Sequence, residues 1–275
     1  MINYNGSVIL ESELQLTHQN RAFKYGDGIF ETIKFQNNKI IFLEDHYFRL
    51  MASMRMLRMK IPMKFTLEFL EEEILKTVAN YDSDILRIRV NVYRKDGGLY
   101  NPETNEVDYI IEAKEVELNS KDNYRIDLYK DFYNYSGLLS TVKTTNRILN
   151  TIAAIYAKEN DLDNCILLNE RKGVVEVTNG NIFVIKGNVI KTPALSEGCI
   201  KGVIRKKVIE IIDKHADFTI EETSISPFEL QKSDEVFITN AIVGIQAVTN
   251  YRKKEFKTDI SEKIKKSLSF LSITG

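Results

Sequence analysis

Apolar residues recur along this chain at two spacings, and stretches of one spacing give way to stretches of the other. The run INYNGSVIL sets Asn5-Gly6 between two short apolar segments, which predicts a two-residue hairpin within residues 2–14. Residues 29–35 and 39–43 read as strands on either side of Gln36-Asn37-Asn38. Over 43–57 the spacing becomes helical, with Leu50, Met54 and Leu57 on one face. TLEFLEEEILKTVAN, residues 66–80, predicts a second amphipathic helix with Thr66 as its N-cap. DILRIRVNVYR, residues 84–94, alternates apolar and polar positions as a half-buried strand does, and 109–116 supplies another. This part of the chain therefore mixes antiparallel strands with helices.

The polar run ELNSKDN predicts a boundary, giving a smaller first domain over 1–117, a linker over 118–123 and a larger second domain over 124–275. Beyond it the pattern predicts a strand at 124–129 and a helix over 145–160 with Ile148, Ile152, Ile155 and Tyr156 on one face. Strands follow at 165–168 and 173–177, then a hairpin of 182–185 and 189–191 around Gly187-Asn188. A glycine turn runs into a helix over 200–214. Strands at 235–239 and 244–248 and a helix over 262–271 complete the chain. The fold class is α/β in the mixed α+β sense, in two domains.

Composition narrows the partners. The chain has 275 residues, enough for two ordinary domains, with 43% hydrophobic and 28% charged residues. A net charge of −1 gives no basis for nucleic acid or a membrane surface as a partner. No apolar stretch reaches the ~18 residues of a membrane span, and the N-terminus lacks the basic and apolar regions of a signal peptide. Cys165 and Cys199, without a CxxC spacing, read as packed, reduced thiols of a cytoplasmic protein. His18, His46 and His215 are scattered, and no metal site is expected.

Four motifs in the second half carry chemistry. Lys143 lies in VKTTNR. On its own, a lysine between an apolar segment and a helix is a solvated boundary residue. A lysine that forms a Schiff base needs burial and a neighbouring cation to lower its pKa. Glu176 ends the strand GVVE, where a single glutamate would ordinarily face solvent; a carboxylate is also what keeps a pyridine nitrogen protonated. GCIKGVIR, residues 198–205, places two glycines ahead of a helix, and helix N-termini bind phosphate through backbone N–H groups. Thr239-Asn240-Ala241 lies between two strands.

With YGDGIFETIK (25–34) and HYFRL (46–50) added, these motifs, in this order and over nearly the whole chain, resemble the class IV aminotransferases, the fold-type IV pyridoxal-phosphate enzymes. The resemblance implies a two-domain architecture like that of D-amino acid aminotransferase and a homodimer whose first-domain loops complete the partner's site. It implies pyridoxal 5'-phosphate as cofactor. Lys143 is then the residue that forms the Schiff base and shuttles the substrate proton, and Glu176 faces the pyridine nitrogen. Asn181 orients its loop or contacts the cofactor. The amides of Val203 and Ile204, the segment Thr239-Asn240-Ala241 and the side chain of Arg49 hold the phosphate. The family usually has threonine where this chain has Ile204, so only the amide contact is kept.

Substrate class is a separate question. D-amino acid aminotransferases carry an arginine and a histidine where this chain has KDGGLYNP, and branched-chain enzymes show a glycine where this chain has Thr32. Tyr25-Gly26-Asp27-Gly28, Phe30-Glu31-Thr32, Asn146-Arg147 and Gly97 to Tyr100 resemble the aminodeoxychorismate lyases, although Leu99 replaces an arginine common there. The implied reaction releases pyruvate and 4-aminobenzoate from 4-amino-4-deoxychorismate. The alternative is amino-group transfer between branched-chain or other amino acids and 2-oxo acids. Tyr25, Arg94, Tyr100 and Arg147 are the candidates for contact with the small amino-acid-like substrate. A non-catalytic scaffold on the same fold is the reading from another class, and Lys143 and Glu176 argue against it.

Overall fold

The structure is a computed structural model that describes residues 1–118 and 121–274. Residues 119 and 120 of the expected linker lie outside the described residues. The chain forms two compact units: Met1–Glu117 with Lys143–Asn146, and Leu118–Val142 with Arg147–Gly275.

The first unit contains β1 (Ile2–Tyr4), β2 (Ser7–Ile9), α1 (Arg21–Tyr25), β3 (Gly28–Gln36), β4 (Lys39–Ile40), α2 (Leu43–Met56), α3 (Leu67–Val78), β5 (Ile85–Arg94) and β6 (Val107–Glu115). Its strands make one antiparallel sheet in the order β2-β1-β6-β5-β3-β4. The first hairpin turns through Asn5 and Gly6, both at positive φ (53° and 98°), as a tight hairpin requires. Thr66 caps α3 by accepting from the Phe69 N–H at 3.2 Å. Alternation gives the sheet one buried face: Ile29, Ile33 and Phe35 of β3 lie beside Leu86, Ile88 and Val90 of β5, all buried. Helices α2 and α3 pack on the sheet and bury Leu50, Met54, Leu70 and Ile74. Each such side chain contributes about 1.5–3 kcal/mol by leaving water.

The second unit contains β7 (Arg125–Leu128), α4 (Ile148–Glu159), β8 (Asn164–Leu168), β9 (Val174–Val177), β10 (Asn181–Lys186), β11 (Val189–Pro193), α5 (Val203–Asp213), β12 (Thr219–Thr223), α6 (Pro227–Lys232), β13 (Glu235–Asn240), β14 (Gly244–Val248), β15 (Asn250–Tyr251), β16 (Lys254–Glu255) and α7 (Asp259–Thr274). Two five-stranded sheets, β12-β11-β10-β13-β14 and β16-β15-β7-β8-β9, share one core that includes Ile126, Ile166, Val177, Ile182, Val236, Ile238 and Tyr251. Strands β8 and β9 are buried at every position, Asn164 and Glu176 included, as strands covered on both faces are. Cys165 and Cys199 are free, buried thiols.

The sequence pattern left out α1, β12, α6 and the short β15 and β16. Helix α6 had a readable signal: Ser226 and Glu229 form a capping box around Pro227 at the first turn. Helix α4 starts at Ile148 rather than 145, because Thr145 N–H donates to Gly28 O at 2.9 Å instead of entering the helix. Its buried face is also rotated from the expected one. Ile148 and Ile155 are exposed, while Ala153 and Ala157, with Leu149, Ile152 and Tyr156, pack on Tyr129, Cys165 and Leu167. This helix is apolar almost all round, so periodicity does not select a face, and the small alanines give the closest approach. Among the described residues no helix is long and apolar enough to cross a membrane, and no cluster of acidic, histidine and cysteine side chains could hold a metal ion.

Candidate active site

Lys143 is presented by an extension of the first unit's sheet. Its carbonyl accepts from Phe30 N–H at 2.9 Å, Thr144 bridges antiparallel to Ile29, and Thr145 Oγ1 donates to the carbonyls of Gly26 (3.1 Å) and Gly28 (3.2 Å). Gly28 packs closely here: a Cβ there would sit a tight 3.2 Å from both Thr145 and Tyr93 side chains. The half-buried Lys143 side chain lies with Nζ 4.4 Å from the centre of the Phe30 ring, and the Arg89 guanidinium lies 3.8 Å from the same ring. A lysine backed by an aromatic ring that a second cation also contacts is in the setting that amine nucleophiles need.

The second unit gathers Glu176, Asn181, Val203, Ile204 and Thr239 around one turn. Glu176 on β9 is buried, and its Oε2 accepts from the Ile200 N–H at 2.9 Å. Asn181 pairs with Thr239 across β10 and β13, and its Nδ2 donates to Ile200 O at 2.8 Å. Asn181 therefore touches both glycine-rich turn and β13 end. A Cβ on Gly202 would fall 2.0 Å from Asn181 Oδ1, and one on Gly180 2.4 Å from Thr239 O. Gly202 is the N-cap of α5, and no side chain caps that helix. The first N–H groups, those of Val203 and Ile204 among them, have no partner inside the helix. Thr239 Oγ1 is buried without a hydrogen-bond partner, while Asn240 Oδ1 accepts from Ile242 and Val243 N–H, both at 3.0 Å. Ala241 continues this turn.

The remaining candidates separate. Arg49 on α2 is paired to Glu31 through Nε (2.7 Å) and Nη2, and His46 Nδ1 lies 2.7 Å from the same carboxylate. Burial raises the Glu31 carboxyl, but the Arg49 charge and the hydrogen bonds from His46 and Arg49 outweigh it and hold the group at about 2. Burial pushes the His46 pKa down. Tyr25, at the end of α1, stacks obliquely with the exposed Tyr100, ring centres 5.5 Å apart. Arg94 does not fit the substrate role expected of it. It is buried, and its guanidinium donates to Asp27 Oδ2 (3.0 Å), Leu57 O (2.7 Å), Arg58 O and Asn105 Oδ1, so it braces the first unit. Arg147 Nη2 donates to Val142 O at 2.7 Å, just ahead of Lys143 in the chain.

Residues 28–251 match the amino-transferase class IV family. The chain belongs to that family. A Methanocaldococcus jannaschii protein provisionally described as a branched-chain-amino-acid aminotransferase is 28% identical, over 96% of this chain and 95% of that protein. The aminodeoxychorismate lyase of Vibrio harveyi is 24% identical, over 87% of this chain and 88% of the lyase. Among solved structures, the branched-chain aminotransferase of Thermoproteus uzoniensis with norvaline is similar at a TM-score of 0.88 and 25% identity, covering 97% of this chain and 92% of that one.

Class IV aminotransferases use pyridoxal phosphate, and this class IV chain is accordingly a pyridoxal-phosphate-dependent enzyme. The second unit's residues fit that group on their own chemistry. A buried hydroxyl without a partner, an uncapped helix N-terminus and a glycine pressed against Asn181 form a seat for an anion, and the buried Glu176 carboxylate suits a protonated ring nitrogen.

One feature of the first unit's sheet is not legible in the sequence. Phe30, Thr32 and Lys34 of β3 stand opposite Asn91, Arg89 and Arg87 of β5, so these six share the face opposite the first unit's core. Three are cations. The side chains of Lys34 and Arg87 form no ion pair or hydrogen bond among the described residues, and Arg89 has Glu112 Oε1 at 3.9 Å and Asn91 Oδ1 at 2.8 Å. Burial lowers the Lys34 pKa; burial and then the Arg87 charge lower that of Arg89. The alternation LRIRVN was visible, but the cross-strand partner of each arginine was not.

Proposed function

We propose that the chain is a 4-amino-4-deoxychorismate lyase, releasing pyruvate and 4-aminobenzoate, a folate precursor. The observation that carries this reading is the strip of Lys34, Arg87 and Arg89 on the face where Phe30 meets Lys143. Crowded, half-buried cations call for anions, and a substrate with one amino group and two carboxylates supplies them. Branched-chain amino acids and D-alanine have a single carboxylate.

When bound, pyridoxal phosphate supplies an electron sink that weakens the bonds at the carbon bearing the substrate's amino group. In the first unit, Lys143 would carry the covalent link and move the proton from that carbon, and Arg89 and Lys34 would orient the second carboxylate. Arg49, fixed by Glu31, would add a donor for the phosphate. In the second unit, the amides of Val203 and Ile204 and the Thr239-Asn240-Ala241 segment would take the phosphate, and Glu176 would keep the ring nitrogen protonated. Tyr25, Tyr100 and Arg147 stay as candidates for substrate contact.

Amino-group transfer is the second reading. It is favoured by the aminotransferases among the relatives and by glutamate, which also has two carboxylates. The test is to incubate the holoenzyme with aminodeoxychorismate and follow 4-aminobenzoate and pyruvate, and in parallel to offer glutamate or a branched-chain amino acid with a 2-oxo acid. Equimolar 4-aminobenzoate and pyruvate at catalytic rate supports the lyase. Exchange of amino groups without 4-aminobenzoate supports transfer. Turnover surviving in Lys143→Ala would remove Lys143 from either reaction. A homodimer and a cytoplasmic location accompany this reading, and the exposed Phe132, Tyr135, Leu138 and Leu139 of the second unit support a second copy as their cover. Light scattering of the purified protein tests the dimer.

A further inference from the structure

Glu197 is a buried carboxylate that none of the motifs explains. It stands in a short 3-10 turn, Leu195–Glu197, directly ahead of Gly198, which adopts φ 97°. Its Oε2 accepts from Asn169 Nδ2 at 2.7 Å and Arg171 Nη2 at 3.1 Å, and its Oε1 accepts from Ser224 Oγ. Asn169 and Arg171 belong to the turn between β8 and β9. In that turn Asn169 Oδ1 accepts from Arg171 N–H (3.1 Å) and Gly173 N–H (2.9 Å). The packing is tight, since a Cβ on Gly173 would sit 3.2 Å from Glu197 Oε2.

These contacts close a ring. From Glu197 it passes through Asn169 to the turn that starts β9, along β9 to Glu176, across the 2.9 Å hydrogen bond to Ile200 N–H, and back through Gly198 to Glu197. The carbonyl of Gly198 is held in turn by Asn134 Nδ2 at 2.9 Å. Two segments thus meet at Glu176, and Glu197 joins them at their other end.

We propose that Glu197 is a positioning residue that sets the spacing between the Glu176 carboxylate and the Ile200 amide, and so aims Glu176 at the ring nitrogen of the cofactor. This rests on the cofactor reading above for its last clause only; the spacing is a property of the protein without cofactor. A carboxylate suits the task because it accepts from three donors at once, whereas a glutamine in its place must turn an N–H₂ toward one of them.

The test compares Glu197→Gln, Ser224→Ala and Glu176→Gln. Hydrogen exchange of the segment that includes the Ile200 amide is followed in the protein without cofactor, and cofactor affinity is measured by titration. In Glu197→Gln the Ile200 amide should exchange at least tenfold faster relative to global unfolding, and pyridoxal phosphate should bind about tenfold more weakly. The absorbance of the bound cofactor should also shift its pH dependence toward that of Glu176→Gln. Ser224→Ala, which removes one donor and leaves the carboxylate in place, should show the same effects at reduced size, and it serves if Glu197→Gln does not fold. A lowered melting temperature with unchanged relative exchange at Ile200 and unchanged cofactor affinity would overturn the proposal. Faster exchange at Ile200 with no pyridoxal phosphate bound by the unmodified protein would leave the positioning role standing and sink the cofactor reading.

Discussion

Replacing Gly202 by alanine separates steric from conformational effects at the glycine-rich turn. Gly202 has φ −66° and ψ 139°, a conformation any residue adopts, so alanine adds no backbone strain there. The new Cβ would meet Asn181 Oδ1 at 2.0 Å, well inside van der Waals contact. Asn181 is buried and tied to Ile200 O, so it cannot step aside without breaking that bond. Losing the bond and leaving a buried amide unsatisfied costs about 1–3 kcal/mol, and overpacking adds a similar amount. Gly202→Ala should therefore destabilise the protein by roughly 2–4 kcal/mol and weaken cofactor binding by about tenfold, or 1.4 kcal/mol. Urea unfolding and cofactor titration measure the two effects. Asn181→Ala alone should cost about 1–3 kcal/mol, and the double variant little more than that, because the clash is gone. Additive costs in that cycle would refute the steric argument.

Thr239→Val should act in opposite directions on the two states of the protein. Without cofactor, removing an unpartnered buried hydroxyl should leave stability unchanged or raise it by up to about 1 kcal/mol, while cofactor affinity should fall; equal affinity in a binding titration would remove Thr239 from the phosphate seat. Stability should fall in acid through Glu31. Its folded pKa of about 2 is below the ordinary 4.5, so its stabilisation, about 3 kcal/mol, is complete above pH 4.5 and lost as pH falls toward 2. Unfolding curves unchanged between pH 6 and pH 3 would contradict this. Burial pushes Cys165 and Cys199 up to about 12, so neither thiol should react with a disulfide reagent at pH 8 until the protein is unfolded, and rapid native labelling of either would contradict their packing.

Local chemistry was legible because it is written in neighbouring residues. Asn5-Gly6 specified its hairpin, Thr66 its cap, and the alternation in DILRIRVNVYR its strand, each within a few residues. The family was legible because its motifs, from 25–34 and 46–50 through Lys143, Glu176, Asn181 and 198–205 to 239–241, are short contiguous runs met in a fixed order. Where local signals were ambiguous the sequence reading failed. The nearly all-apolar α4 offered several faces, and the buried one is lined by its alanines. Arg94 looked like a substrate cation, but its partners, Asp27, Leu57, Arg58 and Asn105, come from three other places in the chain.

By itself, then, the sequence determined most of the elements and the order of the motifs, and the resemblance those motifs carry implied the cofactor. The elements depend on short-range periodicity, capping and turn chemistry. Only the tertiary structure decided that Lys143–Asn146 joins the first unit, that Lys34, Arg87 and Arg89 share a face with Phe30, and that Glu197 closes a ring behind Glu176. Each of these rests on the register between strands or turns far apart in the chain. A shift of one residue in that register would turn every side chain to the opposite face.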